Sequence, residues 1–347
     1  VKGLAPLGRA ANLLADAGID SKTLQKFVAS KPDHQQTVPR YYIIDESSMV
    51  DTQGMHTFLQ RVRPIDRVLQ VGDTAQHHAI SAGAPFLQMQ LAGMHTPVID
   101  DIQRQKEPGL RTVVKTLAQG NTREAVDLMI TQGRVIEIAD DRKRMQAIAN
   151  DYCARPNALV ICLRNAEREE QNQLIHSALQ RAGKIDPEDH RTTIYISQSF
   201  TKEERKYAGA YSIGDHIQYG KGSKEHGIKA REYWEVVEID PVNNKLTVMS
   251  DDGREVKYDP KRLSGVSVYR GEERTFSIAR RIQFRAPLGE KRISTNELGY
   301  IEQIDGQHMT IQMDDAKQRQ VIIDLDRYKH IDHGYAVTSM SSQGLGE

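Results

Sequence analysis

Asp45 and Glu46 stand side by side at the end of the strand-forming run Tyr41-Tyr42-Ile43-Ile44. Neighbouring carboxylates repel unless a cation or water spreads their charge, and a strand end more commonly carries Gly, Asn or Pro. The pair is therefore either a solvated turn or the holder of a metal ion at a phosphate. Two further apolar runs end in polar signatures: Val1–Ala5 in Pro6-Leu7-Gly8-Arg9, and Arg67–Val71 in Gly72-Asp73, with Gln76 just beyond. One such ending is chance, whereas three in order point to one site. At a phosphate site Asp45 would hold Mg²⁺ through water and Glu46 would polarise the attacking water. The Gln76 amide would donate to an oxygen of the γ-phosphate. Taken alone, each has a plainer reading: a solvated turn for Asp45-Glu46, a surface loop residue for Gln76.

Residues of this kind need a scaffold, and the surrounding sequence supplies one. The run "VKGLA" reads as a strand, followed by a turn over Pro6 to Gly8 and an amphipathic helix with Ala10, Leu13, Leu14 and Ala17 on its apolar face. "YYIIDE" and "DRVLQVGD" read as two more strands, with "MHTFLQRV" and "PFLQMQLAG" as helices between and after them. This alternation implies a parallel sheet with ligands at the carboxyl ends of its strands. Residues 102–133 read as mostly helical, and Ala158–Leu163 as a buried strand. The charged helix Ala166–Gly183 reads as a solvated face except at Asn172.

From residue 193 to 332 helical rhythm gives way to short strands with Gly, Asn and Asp turns. An internal repeat runs through this stretch. "SIGDHIQY" at Ser212 matches "SIARRIQF" at Ser277, and "EVVEID" at Glu235 matches "YIEQID" at Tyr300, both at an offset of 65. Each copy predicts about five short strands, the size of a small SH3-like barrel, with Ile217 and Ile282 in equivalent core positions and Trp234 and Tyr300 in the core. The basic clusters "YGKGSKEHGIKAR" and "GEKRIS" fall in loops of the two copies. "HGYAVTSMSSQG" returns to the α/β pattern, so the copies read as an insertion.

The 347 residues predict two or three domains. The 47 basic and 47 acidic residues cancel, which excludes a bulk polycation but not a local basic groove for nucleic acid. No apolar run approaches the roughly 20 residues of a membrane span. Cys153 and Cys162 lack metal-site spacing and suggest a reducing, cytoplasmic setting. Both ends read as cut: the chain opens on a strand with no lead-in and stops where a helix should begin.

"GLAPLGRAANLL", "IIDESSMV", "VGDTAQHHAISAG", "IQRQ" and "YAVTSMSSQG" resemble, in order, motifs Ia, II, III, IV and V of superfamily 1 helicases of the RecD-like branch. The nearest resemblance is to the helicase part of conjugative relaxases of the TraI/TrwC (MobF) type. It implies ATP- and Mg²⁺-driven movement along single-stranded DNA, 5′ to 3′, with ATP between two RecA-like domains. Asp45, Glu46, Gln76 and Arg104 resemble the catalytic residues, Arg104 being the arginine that reaches the γ-phosphate. Asp73, Gln105 and Gly344 join them around the nucleotide. Pro6, Arg9, Thr23, His77, His78, Thr338, Ser342 and Gln343 resemble DNA-contacting positions. Thr23 also has a bland reading as a helix N-cap, and Arg104 as a surface arginine. His77-His78 departs from the usual motif III and raises a metal question, but no cysteine or third histidine lies near in sequence, so loop residues facing DNA are expected.

The fold class expected is α/β: two RecA-like parallel-sheet domains, both incomplete, with an inserted pair of SH3-like β-barrels. Domain 1A and a helical connection would occupy residues 1–150, the first part of domain 2A 151–195, the barrels 196–332 with copies near 212–269 and 277–332, and the return to domain 2A 333–347. No G-x-x-x-x-G-K-[ST] occurs in the chain and motif VI is missing, so the phosphates lack their glycine-loop cradle. The chain by itself is expected to hydrolyse ATP poorly. Two alternatives stay open. One is an inactive helicase-like module that binds single-stranded DNA and carries a type IV secretion translocation signal; for a conjugation protein of either kind, a type IV secretion coupling protein is an expected partner and transfer with DNA to a recipient cell an expected fate. The other is a RecD-like repair helicase.

Overall fold

The alternation of apolar runs and amphipathic helices at the start of the chain becomes a parallel sheet in the computed structural model. The structure describes every residue except 32–37, 100, 103–104, 157, 187–189, 264, 316 and 343–347. The chain divides into two compact units, residues 1–148 with 338–347, and residues 149–337.

The first unit holds β1 (Lys2–Ala5), α1 (Gly8–Asp16), β2 (Asp20–Thr23), α2 (Leu24–Ala29), β3 (Tyr41–Ile44), α3 (Thr52–Leu59), β4 (Arg67–Gln70) and α4 (Pro85–Leu91). The strands lie in the order β2-β1-β3-β4, every pair parallel. The most apolar strands take the centre: Leu4 and Ala5 of β1 and Tyr42 and Ile44 of β3 are buried. Leu24 and Phe27 of α2 and Met55 and Phe58 of α3 close over them. The rings of Phe27, Tyr42 and Phe58 meet edge-on or tilted, with centroids 5.5, 5.6 and 5.9 Å apart. Strand β2 escaped the sequence reading because Asp20-Ser21-Lys22-Thr23 is polar, as an edge strand can be. It approaches β1 so closely that a Cβ at Gly3 would fall 2.1 Å from the Ser21 hydroxyl. Helix α1 corrects the expected apolar stripe: it buries Ala10 and Ala11 and leaves Leu13 exposed, as is Ala17 just past its end. The small residues let the short helix sit close to the sheet. Helices α5 (Pro108–Ala118) and α6 (Thr122–Thr131) fill the expected helical stretch, and α7 (Asp141–Ala154) contains the division between the units.

In the second unit, β5 (Val160–Cys162) precedes α8 (Asn165–Arg181). Two expectations fail here. Ile161 and Leu163 are exposed, so β5 is not a buried strand. Conversely, α8 is not a solvated face: Arg168, Gln171, Asn172 and His176 are buried. Arg168 is tolerated inside because it pairs with Asp332 at 3.3 Å and Glu169 at 3.0 Å.

The strand-rich stretch comprises β6 (His190–Ser197), β7 (Asp215–Tyr219), β8 (Tyr233–Asp240), β9 (Lys245–Ser250), β10 (Glu255–Tyr258), β11 (Val266–Phe276), β12 (Arg281–Phe284), β13 (Leu298–Asp305), β14 (His308–Met313), β15 (Gln320–Asp324) and β16 (Ile331–His333). Then come β17 (Ala336–Thr338), which pairs with β5, and α9 (Ser339–Ser342). The strands form two antiparallel sheets, β10-β9-β8-β7-β11-β6 and β15-β14-β13-β12-β16. The repeat read in the sequence is a repeat in space. Ile217 and Ile282 are fully buried in separate cores, that of Ile282 also taking in Ile194 of β6 and Phe276 of β11. A β-bulge lies between Val236 and Glu238 in one copy and between Ile301 and Gln303 in the other. Positive φ recurs at Arg231 and Asn296, and at Gly227 and Arg292. A clamp repeats too: Glu232 accepts from the Lys229 N–H and from Arg254, as Glu297 does from the Ser294 N–H and Arg319. The two basic clusters lie in loops closed by bridges Ser223–Ile228 and Leu288–Ile293. Trp234 is core as expected, but Tyr300 is only half-buried, with the Arg281 guanidinium 5.6 Å from its ring centre.

Candidate functional site

All four strands of the parallel sheet end at one edge, and the residues singled out by spacing gather there. The Asp45 N–H donates to the Leu4 carbonyl (2.9 Å) and the Val71 N–H to the Ile44 carbonyl (2.8 Å), so Asp45 sits between the ends of β1 and β4. Glu46 takes a left-handed conformation, φ 50°, uncommon for a residue with a side chain. Its N–H donates to Asp45 Oδ1 at 2.9 Å, which holds the first carboxylate in the turn. The Ser47 N–H donates to the Val71 carbonyl at 2.8 Å and its hydroxyl to the Ile44 carbonyl at 2.9 Å. Asp45-Glu46 and Gly72-Asp73 thus share one wall.

Gly72 is needed at that wall. A Cβ there would lie 3.0 Å from both the Ser47 and Ser48 nitrogens. Asp73 accepts from the Ala75 N–H and from Gln76 Nε2, both at 2.9 Å. The Gln76 amide is therefore aimed back at the strand ends. Ser48 Oγ is buried without a hydrogen-bond partner beside them. A glycine-narrowed turn, an orphaned buried hydroxyl and two carboxylates make a donor set that fits a hydrated Mg²⁺ and phosphate oxygens. Among the described residues no group of three or more His, Cys, Asp or Glu side chains could hold a metal ion, so protein ligands alone would not complete a coordination shell.

The other expected residues divide. Pro6 and Arg9 lie at the turn from β1 into α1, both half-buried. The Thr23 hydroxyl accepts from the Lys26 N–H at 3.3 Å and caps α2. His78 is exposed, whereas His77 Nε2 lies 2.9 Å from the Ser339 hydroxyl. That bond ties the loop after β4 to the segment carrying Thr338 and Ser342. There Thr338 is bonded to Ser341, N–H to Oγ at 3.0 Å, and the Ser342 hydroxyl donates to the Ser339 carbonyl at 2.7 Å. The Gln105 carbonyl accepts from Arg111 Nε at 3.0 Å. Arg104, Gln343 and Gly344 lie outside the described residues.

Sequence reasoning missed Ser48, Ser339, Ser341 and the purpose of Gly72, since small residues in loops carry no periodic signal. Asn172 was noticed but its task was not. Its side chain donates to the Ala336 carbonyl at 3.0 Å and accepts from the Ala336 N–H at 2.8 Å, so it pins β17 as a neighbouring strand would.

Residues 1–140 match the family model described as an AAA domain. The whole chain aligns with the multifunctional conjugation protein TraI of Escherichia coli at 22% identity, spanning 22% of that protein's length. The conjugal transfer protein TraA of Agrobacterium fabrum is 26% identical over 72% of this chain, again across 22% of its own length. Among solved structures, a Pif1 helicase from Bacteroides in complex with ADP-AlF3 and single-stranded DNA aligns over 99% of this chain and 73% of its own, at 15% identity and a TM-score of 0.38. No described helix is long and apolar enough to cross a membrane.

Proposed function

We propose, for a chain that resembles a TraI-type relaxase-helicase region along its whole length, that it belongs to an ATP-driven motor on single-stranded DNA. The observation that carries this reading is the shared wall of Asp45-Glu46 and Gly72-Asp73-Gln76 at the carboxyl edge of the sheet. Asp45 would hold Mg²⁺ through water, and the ion would neutralise phosphate charge. Glu46 would take the proton of the attacking water. Gln76 would exchange its bond to Asp73 for one to a phosphate oxygen, coupling occupancy to the His77 loop that follows. Arg104, Gln105 and Gly344 would complete the nucleotide site. Pro6, Arg9, Thr23, His77, His78, Thr338, Ser342 and Gln343 would hold the strand, with movement 5′ to 3′. The two antiparallel sheets would close as SH3-like barrels inserted into a second RecA-like domain. A cytoplasmic setting and a secretion coupling protein as partner belong to the same reading.

The alternative reading is a module that binds single-stranded DNA without turnover. Glu46→Gln in the full-length parent protein separates the two. The amide keeps the shape and loses the base, so a motor should lose about 10²-fold or more in kcat while ATP binding persists. An unchanged kcat would sink the assignment of Glu46. A parent that binds single strands but hydrolyses no ATP would establish the binding module.

A further inference from the structure

The starts of the parallel strands, at the edge opposite Asp45, open on a cleft of about 510 Å³. It is lined by the first residues of β1, β2 and β3, by the end of α2, and by the loop from α3 to β4. Among the described residues, six of its lining side chains are cationic, Lys2, Lys22, Lys31, Arg40, Arg61 and Arg63, against one lining carboxylate, Asp20. Lys2 pairs with Asp20. Arg63 is held by Asp66 just outside the cleft, at 2.7 and 3.2 Å.

Arg40 reaches the Tyr42 hydroxyl at 3.5 Å, and the three remaining cations are Lys22, Lys31 and Arg61. Arg61 donates to the carbonyls of Phe27 and Ser30, at 2.8 and 2.7 Å, and to that of Val28, and so covers the open end of α2. The Lys22 ammonium stands 5.4 Å from the centre of the Phe27 ring. Carbonyls and a ring face orient a cation but do not cancel its charge. Leu4, Phe27 and Tyr42 give the cleft an apolar floor, which strengthens the field above it. A chain of zero net charge that concentrates cations in one concavity has a local field to use.

We propose that this cleft binds a compact multivalent phosphate, of the kind carried by a nucleoside di- or triphosphate, and does so without a divalent cation. The volume suits a small ligand rather than a strand. The cations themselves supply the neutralisation that Mg²⁺ would supply at Asp45, so the two sites differ in metal dependence.

The test is calorimetric titration of sodium tripolyphosphate into this chain in low-salt buffer containing EDTA. Saturable binding is expected, weakened roughly tenfold or more by Lys22→Glu with Lys31→Glu, as reversing two charges beside a multivalent anion requires. Both lysines are exposed and lie away from Asp45 and Glu46. A neutralising pair, Lys22→Gln with Lys31→Gln, should weaken binding less and guards against misfolding of the reversal variant. Absence of saturable binding in EDTA would overturn the proposal, as would binding that both variants leave intact. A thymidine oligonucleotide that displaces tripolyphosphate would overturn it in favour of a nucleic-acid strand, and failure to displace supports the compact ligand.

Discussion

At the scale of single residues, the chain uses side chains in place of backbone where the fold leaves a gap. Asn172 satisfies both main-chain groups of the buried Ala336. Replacing it with Ala strands a buried donor and acceptor, each costing about 1–3 kcal/mol. Asn172→Ala should therefore lower stability by roughly 2–5 kcal/mol in denaturant melts, and a change under ~0.5 kcal/mol would show that Ala336 finds other partners. His330 is a second case. Burial depresses its pKa from 6.5 to about 4, and its Nε2 faces the Tyr233 hydroxyl, with the rings of Tyr195, Tyr269 and Tyr328 around it. A depressed folded pKa means the unfolded chain binds the proton more tightly. Its contribution is therefore present above pH 6.5 and is lost as pH falls toward about 4. The shift corresponds to about 3 kcal/mol, so stability should decline between pH 7 and pH 4, and His330→Phe should flatten that decline.

At the scale of elements, the tandem sheets are two solutions of one packing problem. Their bulges, positive-φ turns and glutamate–arginine clamps recur at corresponding places although few side chains match. Ile217 and Ile282 occupy equivalent strands but separate cores. Each change to Ala should cost about 2–5 kcal/mol. Because the cores share no residues, the double variant should equal the sum of the singles within about 0.5 kcal/mol. A coupling energy above 1 kcal/mol in a double-mutant cycle would mean that the sheets fold as one cooperative core.

At the scale of the whole chain, the proposed binding of single-stranded DNA cannot rest on net charge, which is zero. Affinity must come from a local groove, and such grooves hold phosphates and stack bases of single strands. Anisotropy with a labelled oligonucleotide should show binding that weakens with salt, at a log–log slope near −0.7 per phosphate neutralised. Arg9→Ala should reduce that slope by about one contact. Equal affinity for duplex and single strand would refute the groove at the strand ends.

The sequence alone determined which strands end in carboxylates, glycine and glutamine, and the duplication of the strand-rich stretch. These are local or periodic signals, carried by runs whose burial alternates or persists along the chain. The polar edge strand β2 and the inward polar face of α8 break that link between polarity and exposure, so β2 carries no strand signal and α8 reads as a solvated face. Only the tertiary structure could bring His77 to Ser339 across 262 residues, set Gly72 against the Ser47 and Ser48 nitrogens, or collect Lys22, Lys31 and Arg61 in one cleft. Contacts between distant segments depend on how whole elements pack, and no run of neighbouring residues encodes that.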